Sequence, residues 1–513
     1  MKLVVGILRG EPGWTILLEQ IGIDWKVLTD VEDLSPETAS VVIVNTVPTS
    51  FQQKGLQEFL DGGGALLTTS DHARYFVAGR YKRRWYGSLP PSALGIHSPS
   101  GMLDIYAHGV GESGTGDQRI PGIHRVGKGF IASLPFDVSG LCIDRRSRRK
   151  NFYFDNGRLP GEVTATVSKS ELRRLVCEVL RLLHQRRGIP FIHKWYYPDG
   201  KSSIFTFRVD SDQGTQHDVD ALYELCARHS VKTMWFVDTK SHESWLSRFR
   251  EFGSQEVGVH CYDHMSYEED EPNLQNLGKA YSLLTKNGID PKGAAAPYGT
   301  WNPSIAGVFE RLGFSYSSEF SLDYDNLPFH PFLDGRFTSV LQLPIHPICV
   351  GSMLRSGYSP AEMVRYFKRL VDEKISLREP ICLYHHPTHH RLDVFESVFD
   401  YVRLRGVQNF SYGEYASWWQ LRAKARRVFE FNAAVNTIVA TARQDSPNLL
   451  WHIVLPGGEE SITDLSGVVS LDSLELSVPA QAPPPPRDIR RIRRFDFRHP
   501  IMNILDAWYK KTQ

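Results

Sequence analysis

A chain of 513 residues, 41% hydrophobic and 23% charged, has the composition of a soluble, well-packed protein and is too long for a single core, so at least two domains are expected. Lys and Arg number 59 against 58 Asp and Glu, a balance that lacks the electrostatic footprint of a nucleic-acid binder. The six cysteines are scattered with no Cys-x-x-Cys, which indicates neither a disulfide framework nor a thiolate zinc site and fits a reducing, cytoplasmic setting. The opening MKLVVGILRGEPGW has too short an apolar run for a signal peptide and reads as a buried strand. No stretch approaches the roughly 20 apolar residues that span a bilayer.

From residue 1 to about 187, short apolar runs alternate with amphipathic segments. Leu3–Leu8, Val41–Val44 and Ala65–Thr69 read as strands, and Trp14–Ile21 and Phe51–Leu60 as helices, a pattern that implies a parallel sheet with covering helices. Gly62, Gly63 and Gly64 stop the second helix, Phe130–Phe136 is a further strand, and Ser170–Gln185 is a helix with Leu172, Leu175, Val176, Val179, Leu180 and Leu183 on one face. The stretches VVIVNTVPTSFQQKGLQEFLDGGGALLTTSDH and VGKGFIASLPFDV resemble the flavodoxin-like glutamine-amidotransferase superfold. Chemistry of that kind needs a nucleophilic Cys on a tight elbow, and no cysteine here has a Gly-x-Cys-x-Gly context. The first domain, 1–187, is therefore read as non-catalytic.

Residues 188–200, GIPFIHKWYYPDG, read as a connector, after which the alternation restarts. Strands are expected at Ser203–Val209, Val231–Val237, Glu256–Val259, Lys292–Ala296, Ser315–Ser318, Leu341–Ile345 and Ile381–Tyr384. Helices are expected at Asp218–Arg228, Ser244–Phe252, Leu274–Asn287, Ile305–Leu312, Ala361–Lys374 and Asp393–Arg405. So many strand–helix units in succession suggest a (β/α) barrel over 188–425, whose chemistry belongs at the C-terminal ends of its strands.

Four of those ends carry polar residues that make sense together: Asp210-Ser211-Asp212, then His260 through His264, then Pro297-Tyr298-Gly299, then His385-His386. A carboxylate with two imidazoles supplies three ligands for a divalent metal, and a second carboxylate nearby can take a proton from water. Taken singly, each motif has a plainer use. Asp-x-Asp serves turns and helix caps, and Asp212 precedes a helix it could cap. Paired histidines are often structural.

The segment from about Ser203 to Trp419 resembles the polysaccharide deacetylase family, the NodB-homology or carbohydrate esterase family 4 domain, whose fold is a distorted (β/α) barrel. Its Thr-Phe-Asp-Asp motif resembles Thr206-Phe207-Arg208-Val209-Asp210-Ser211-Asp212, and its His-Ser/Thr-x-x-His motif resembles His260–His264 with Cys261 at the hydroxyl position. Its Arg-x-Pro-Tyr appears as Ala295-Ala296-Pro297-Tyr298 and its Leu-x-His as Leu383-Tyr384-His385. The remaining motif has only Asp323-Tyr324-Asp325 as a candidate, without a Trp. The resemblance implies Asp212, His260 and His264 as metal ligands, Asp210 as general base, the Tyr298 N–H as oxyanion donor and His385 as the acid, with His386 as runner-up. It implies one divalent ion, Zn2+ first, with Co2+, Ni2+ or Mn2+ as alternatives. The family's motif Arg holds the catalytic carboxylate; Ala295 stands there, so Arg208 or a residue of the first domain must replace it, or Asp210 is less well oriented. Trp301, His386 and Asp323 are candidate substrate contacts, Trp301 by stacking on a sugar ring.

From Arg426 short extended runs suggest a small β-rich module over 426–480, followed by the Pro483–Pro486 spacer in 481–513. Arg487–Gln513 holds eight Lys or Arg against three Asp and mixes them with apolar residues, which suits either peripheral contact with an anionic membrane or packing on the protein itself. The fold expected is thus α/β: a flavodoxin-like domain, a distorted (β/α) barrel and a small C-terminal β module. The function expected is metal-dependent hydrolysis of an N-acetyl or N-formyl amide on a nucleotide-linked or lipid-linked sugar, in cell-surface polysaccharide, lipopolysaccharide or O-antigen biosynthesis. The alternatives are an inactive carbohydrate-binding scaffold and a hydrolase of a small non-sugar amide.

Overall fold

The computed structural model describes residues 1–89, 103–112, 122–154, 157–444, 446–478 and 504. The chain divides into two compact units, each assembled from separated segments. One contains Met1–Asp144, Val167–Gly200 and Gln420–Pro484; the other contains Arg145–Thr166 and Lys201–Trp419.

In the first unit a six-stranded sheet runs in the order Trp25–Leu28, Val5–Leu8, Val41–Val44, Ala65–Thr69, Gly129–Leu134, Gly122–Val126. All neighbours are parallel except the last pair. Its central strands are buried along their whole length, as parallel strands covered on both faces must be. The Trp25–Leu28 strand, half exposed at the sheet edge, has too weak an apolar pattern to be read from sequence. Residues 420–478 do not stand apart from this unit. Phe191–Lys194, inside the segment expected to be a connector, pairs antiparallel with Trp451–Val454. The buried Arg422 guanidinium donates to the carbonyls of Trp195 (2.8 Å), Lys194 (3.0 Å) and Glu19 (3.0 Å), tying the three segments together. The sequence boundaries at 187 and 425 therefore differ from these units, because long-range strand pairing leaves no local signal.

The second unit is a curved, parallel, eight-stranded sheet. Its strands are β1 (Ile204–Asp210), β2 (Thr233–Asp238), β3 (Glu256–Cys261), β4 (Gly293–Ala294), β5 (Tyr316–Ser317), β6 (Leu341–Gln342), β7 (Ile381–His385) and β8 (Gln408–Asn409). They run in the order β6-β5-β4-β3-β2-β1-β7, with β8 also beside β1. One backbone hydrogen bond, His346 N–H to Cys382 O at 3.0 Å, reaches from the segment after β6 to β7 across the remaining gap. Helices α1 (Gln216–Arg228), α2 (Asp270–Lys286), α3 (Pro303–Arg311), α4 (Val350–Arg355), α5 (Pro360–Leu377) and α6 (Leu392–Leu404) accompany the strands. Where an α-helix is expected at Ser244–Phe252, the chain forms a 3-10 segment, Glu243–Glu251, interrupted at Trp245.

Strand parity decides which side chains reach the open ends of the strands. Phe205, Phe207 and Val209 of β1 pack into the hydrophobic cluster under the helices, as do Trp235 and Val237 of β2 and Ile381 and Leu383 of β7. Successive side chains alternate faces, so Thr206, Arg208 and Asp210 point the other way, into the barrel. The hairpin formed by Ser147–Phe154 and Gly157–Ala165 belongs to this unit and brings Glu162 to α4, where the Ser352 hydroxyl donates to Glu162 Oε1 at 2.6 Å.

Candidate metal and hydrolytic site

A cavity of about 690 Å³ opens at the C-terminal ends of the strands, with Asp210, Asp212, His260, His264, Tyr298 and His386 in its wall. Asp210 and Asp212 share its face because they are two residues apart. Ser211 between them is fully buried and faces away, its Oγ accepting from the Asp238 N–H at 2.9 Å and lying 2.8 Å from His242 Nε2. That anchor fixes the bend that aims both carboxylates into the cavity.

Asp212 Oδ1 lies 3.0 Å from His260 Nε2 and its Oδ2 3.3 Å from His264 Nε2. One ligand atom from each of the three residues falls within 4.8 Å of the others. His260 Nδ1 lies 2.6 Å from the Ala295 carbonyl, to which it must donate, so Nε2 is the nitrogen turned toward Asp212. His264 sits on the loop after β3, and buried Asn276 of α2 holds that loop. Its Oδ1 accepts from the Tyr262 and Asp263 N–H groups (2.8 Å each), and its Nδ2 donates to the Asp263 (2.8 Å) and Met265 (3.0 Å) carbonyls. Burial alone would raise the Asp212 carboxyl, but the two imidazoles outweigh it and hold the group well below its ordinary range. Asp212 Oδ1, His260 Nε2 and His264 Nε2 are buried without a hydrogen-bond partner. Three orphaned donor atoms converging in this way are a ligand set for a divalent cation. Cys261, at the position of the motif's hydroxyl residue, is buried on the opposite face, and burial pushes its thiol far up.

The cation that holds Asp210 comes from its own strand. Arg208, fully buried, donates to Asp210 Oδ2 at 2.6 Å and to the Ser318 carbonyl at 2.5 Å, and its guanidinium lies 5.3 Å from the ring centroids of both Phe236 and Tyr384. Ala295, where the motif has Arg, contributes only its backbone. Tyr298 borders the cavity with φ 59°, ψ 13°, a left-handed conformation uncommon outside glycine and enriched at functional sites. Gly299 beside it tolerates no side chain, since a Cβ would sit 2.4 Å from the Phe320 ring.

Three sequence candidates fall elsewhere. His385 is fully buried on the helix-facing side of β7, its ring 4.8 Å from that of Phe395 and its Nε2 2.8 Å from the His390 carbonyl; burial drives it down to about 3. It is not part of the cavity wall. His386, one residue on, has the parity that faces the cavity, with Nε2 3.4 Å from Asp212 Oδ2 and 4.0 Å from Asp210 Oδ2. Burial opposes protonation of His386, yet Cys349, Asp212 and Asp210 raise it to about 9. Asp323 is fully buried in its own turn, accepting from the Tyr324 N–H (2.9 Å) and Asn326 Nδ2 (2.8 Å). Trp301 is nearly buried, its N–H on Ser321 Oγ at 2.7 Å, and it is not part of the cavity wall.

Other residues at the site carry no sequence motif. Glu319, outside the cavity wall, is fully buried behind the Pro297–Gly299 turn, accepts from the Ala296 N–H at 3.1 Å and is pushed up to about 7 by burial. Cys349, at the start of α4, and His389 complete the wall next to His386. Burial would raise the Cys349 thiol, but the two imidazoles hold it well below its usual range.

Residues 197–317 match the family model described as polysaccharide deacetylase. The match covers Arg208, Asp210, Asp212, His260, His264 and Tyr298 and ends before Glu319, Cys349 and His386. No curated protein matches the chain. Among solved structures, a protein described as a probable polysaccharide deacetylase from Pseudomonas aeruginosa PAO1 is similar at 16% identity and TM-score 0.37, over 44% of this chain and 93% of that one. PuuE allantoinase is similar at 16% identity and TM-score 0.37, over 44% and 92%. A polysaccharide deacetylase from Bacillus cereus is similar at 14% identity and TM-score 0.30, over 41% and 92%.

Proposed function

We propose that the second unit is a metal-dependent hydrolase that removes an N-acetyl or N-formyl group from a sugar, in assembly of cell-surface polysaccharide, lipopolysaccharide or O-antigen. The observation that carries this reading is Asp212 facing two imidazole nitrogens without hydrogen-bond partners, beside Asp210 clamped by Arg208. Asp212, His260 and His264 would hold one divalent ion, Zn2+ first, with Co2+, Ni2+ and Mn2+ as alternatives. Bound there, such an ion polarises an amide carbonyl and makes water more acidic.

Asp210 accepts the proton of the attacking water; with Oδ2 fixed by Arg208, its buried Oδ1 has no hydrogen-bond partner. The water oxygen bonds to the acyl carbon, and the developing oxyanion receives the Tyr298 backbone N–H, a type of contact worth about 3–4 kcal/mol. The carbon–nitrogen bond then breaks while His386, in the role first given to His385, delivers a proton from Nε2 to the leaving amine. The products are acetate or formate and the free amino sugar. The cavity volume of about 690 Å³ suits a saccharide unit.

We take the substrate to be nucleotide-linked or lipid-linked and the location cytoplasmic, with the basic tail Arg487–Gln513, outside the described residues except Ile504, resting on an anionic membrane face. No helix among the described residues is long and apolar enough to cross a membrane. The first unit is taken as flavodoxin-like and non-catalytic, a reading supported by its second-first-third-fourth parallel strand order. The test is acetate and formate release from a panel of acylated sugars, nucleotide sugars, lipid-linked saccharides and small amides. Release from an acylated sugar that disappears in Asp210→Asn with metal retained supports the proposal. Release from every substrate at equal rates in the variant would overturn it, as would no release at all.

A further inference from the structure

We propose that Cys349, His386 and His389 form a second cation site in the same cavity, suited to a thiophilic divalent ion of the zinc class. The three residues come from the start of α4 and the loop after β7, and each offers one ligand atom within 4.8 Å of the others. All three border the cavity. The Nδ1 atoms of both His386 and His389 are buried and have no hydrogen-bond partner. A thiolate with two imidazoles is a soft-to-borderline donor set that prefers zinc over magnesium or calcium, and three protein ligands beside a cavity leave a position for an exogenous ligand.

The surroundings are shaped to this cluster. Gly351 lies against the His389 ring, where a Cβ would sit 2.1 Å from His389 Cε1, so the imidazole lodges only because α4 has glycine there. Cys349 Sγ lies 3.5 Å from the Ser352 hydroxyl, whose hydrogen goes to Glu162 Oε1 at 2.6 Å, so Ser352 and Glu162 back the sulfur from the side away from the histidines. His386 joins the two sites, since its Nε2 is 3.4 Å from Asp212 Oδ2. Coordination through Nδ1 leaves a single proton, on Nε2, so His386 bound to an ion there would be a neutral donor and a weaker acid than free imidazolium. The site itself needs only these donors; the count of two ions in its test also rests on the first site of the proposed function, whereas the thiolate band reports this site alone.

The test is metal stoichiometry and cobalt spectroscopy on the full chain after chelator dialysis. Wild type should take two Zn2+ per chain, and its Co2+ form should show a thiolate-to-cobalt charge-transfer band in the near ultraviolet. Cys349→Ser should lose the band and one ion, whereas His260→Ala should lose the other ion and keep the band, which separates this site from the first. His389→Ala should weaken the band-forming site at least tenfold. A wild-type cobalt form without the band, or a folded Cys349→Ser that still binds two ions, would overturn the proposal. Should Cys349→Ser fail to fold, native wild type supplies the check: Zn2+ should slow alkylation of the Cys349 peptide by iodoacetamide, and an unchanged rate would overturn the site.

Discussion

Replacing Arg208 with Met keeps an unbranched apolar stem and removes the guanidinium that lies beside Phe236 and Tyr384, with its charge and its donors. The guanidinium is fully buried, and its 2.6 Å contact with Asp210 and 2.5 Å contact with the Ser318 carbonyl vanish together. Breaking one side of a buried ion pair costs about 3–5 kcal/mol, because the remaining carboxylate is desolvated without compensation. Asp210→Asn in the Arg208→Met background removes that stranded charge, so the double variant should recover about 1–3 kcal/mol, the range expected for touching residues. Urea unfolding of the full chain, following the transition that the variants shift, gives both values. Arg208→Met should also lower deacetylation by about 100-fold, the cost of a base displaced by about an ångström. A single variant within about 0.5 kcal/mol of wild type, or no coupling in the cycle, would refute the claim that Arg208 takes the place of the motif Arg missing at Ala295.

Three further outcomes follow from the geometry. His386→Gln should lower turnover by about 10²–10⁴-fold, whereas His385→Gln should leave turnover largely intact and shift the thermal midpoint instead, as kinetics and melting of the two variants will tell. Asn276→Ala frees the loop that carries His264 and should weaken zinc affinity about 10–100-fold, measured by competition with a chromogenic chelator. His184 is fully buried with Nδ1 2.7 Å from the Leu180 carbonyl, and burial lowers it from 6.5 to about 4. Its folded-state value lies below the unfolded one, so stability is fully present above about pH 6.5 and falls toward pH 4, at up to ~1.4 kcal/mol per pH unit. His184→Phe should flatten that slope in urea titrations across this range, and an unchanged slope would show that the ring does not titrate as described.

The convergence of Asp210, Asp212, His260 and His264 was legible because parallel strands deliver their C-terminal residues to one place. His386 was also within reach. Ile381 and Leu383 mark the helix-facing side of β7, so parity alone assigns His385 outward and His386 inward, and matching the motif by residue type overrode that count. Arg208 follows the same rule, two residues before Asp210 on the inward face. Cys349, His389 and Glu162 were not legible, since loop closure and a hairpin from far upstream bring them to the cavity without any periodic pattern. Asp323 and Trp301 were misplaced for a related reason: an Asp followed by Asn three residues on can satisfy its own turn, and an aromatic beside a functional loop can serve as its floor.

The central claim is a cation gripped by Asp212, His260 and His264. Anomalous diffraction at the zinc edge, on crystals of the zinc-loaded full chain, addresses it directly. The account predicts a peak about 2.0–2.2 Å from a carboxylate oxygen of Asp212 and from Nε2 of both His260 and His264. Zinc-loaded crystals with no peak among those three atoms would contradict it.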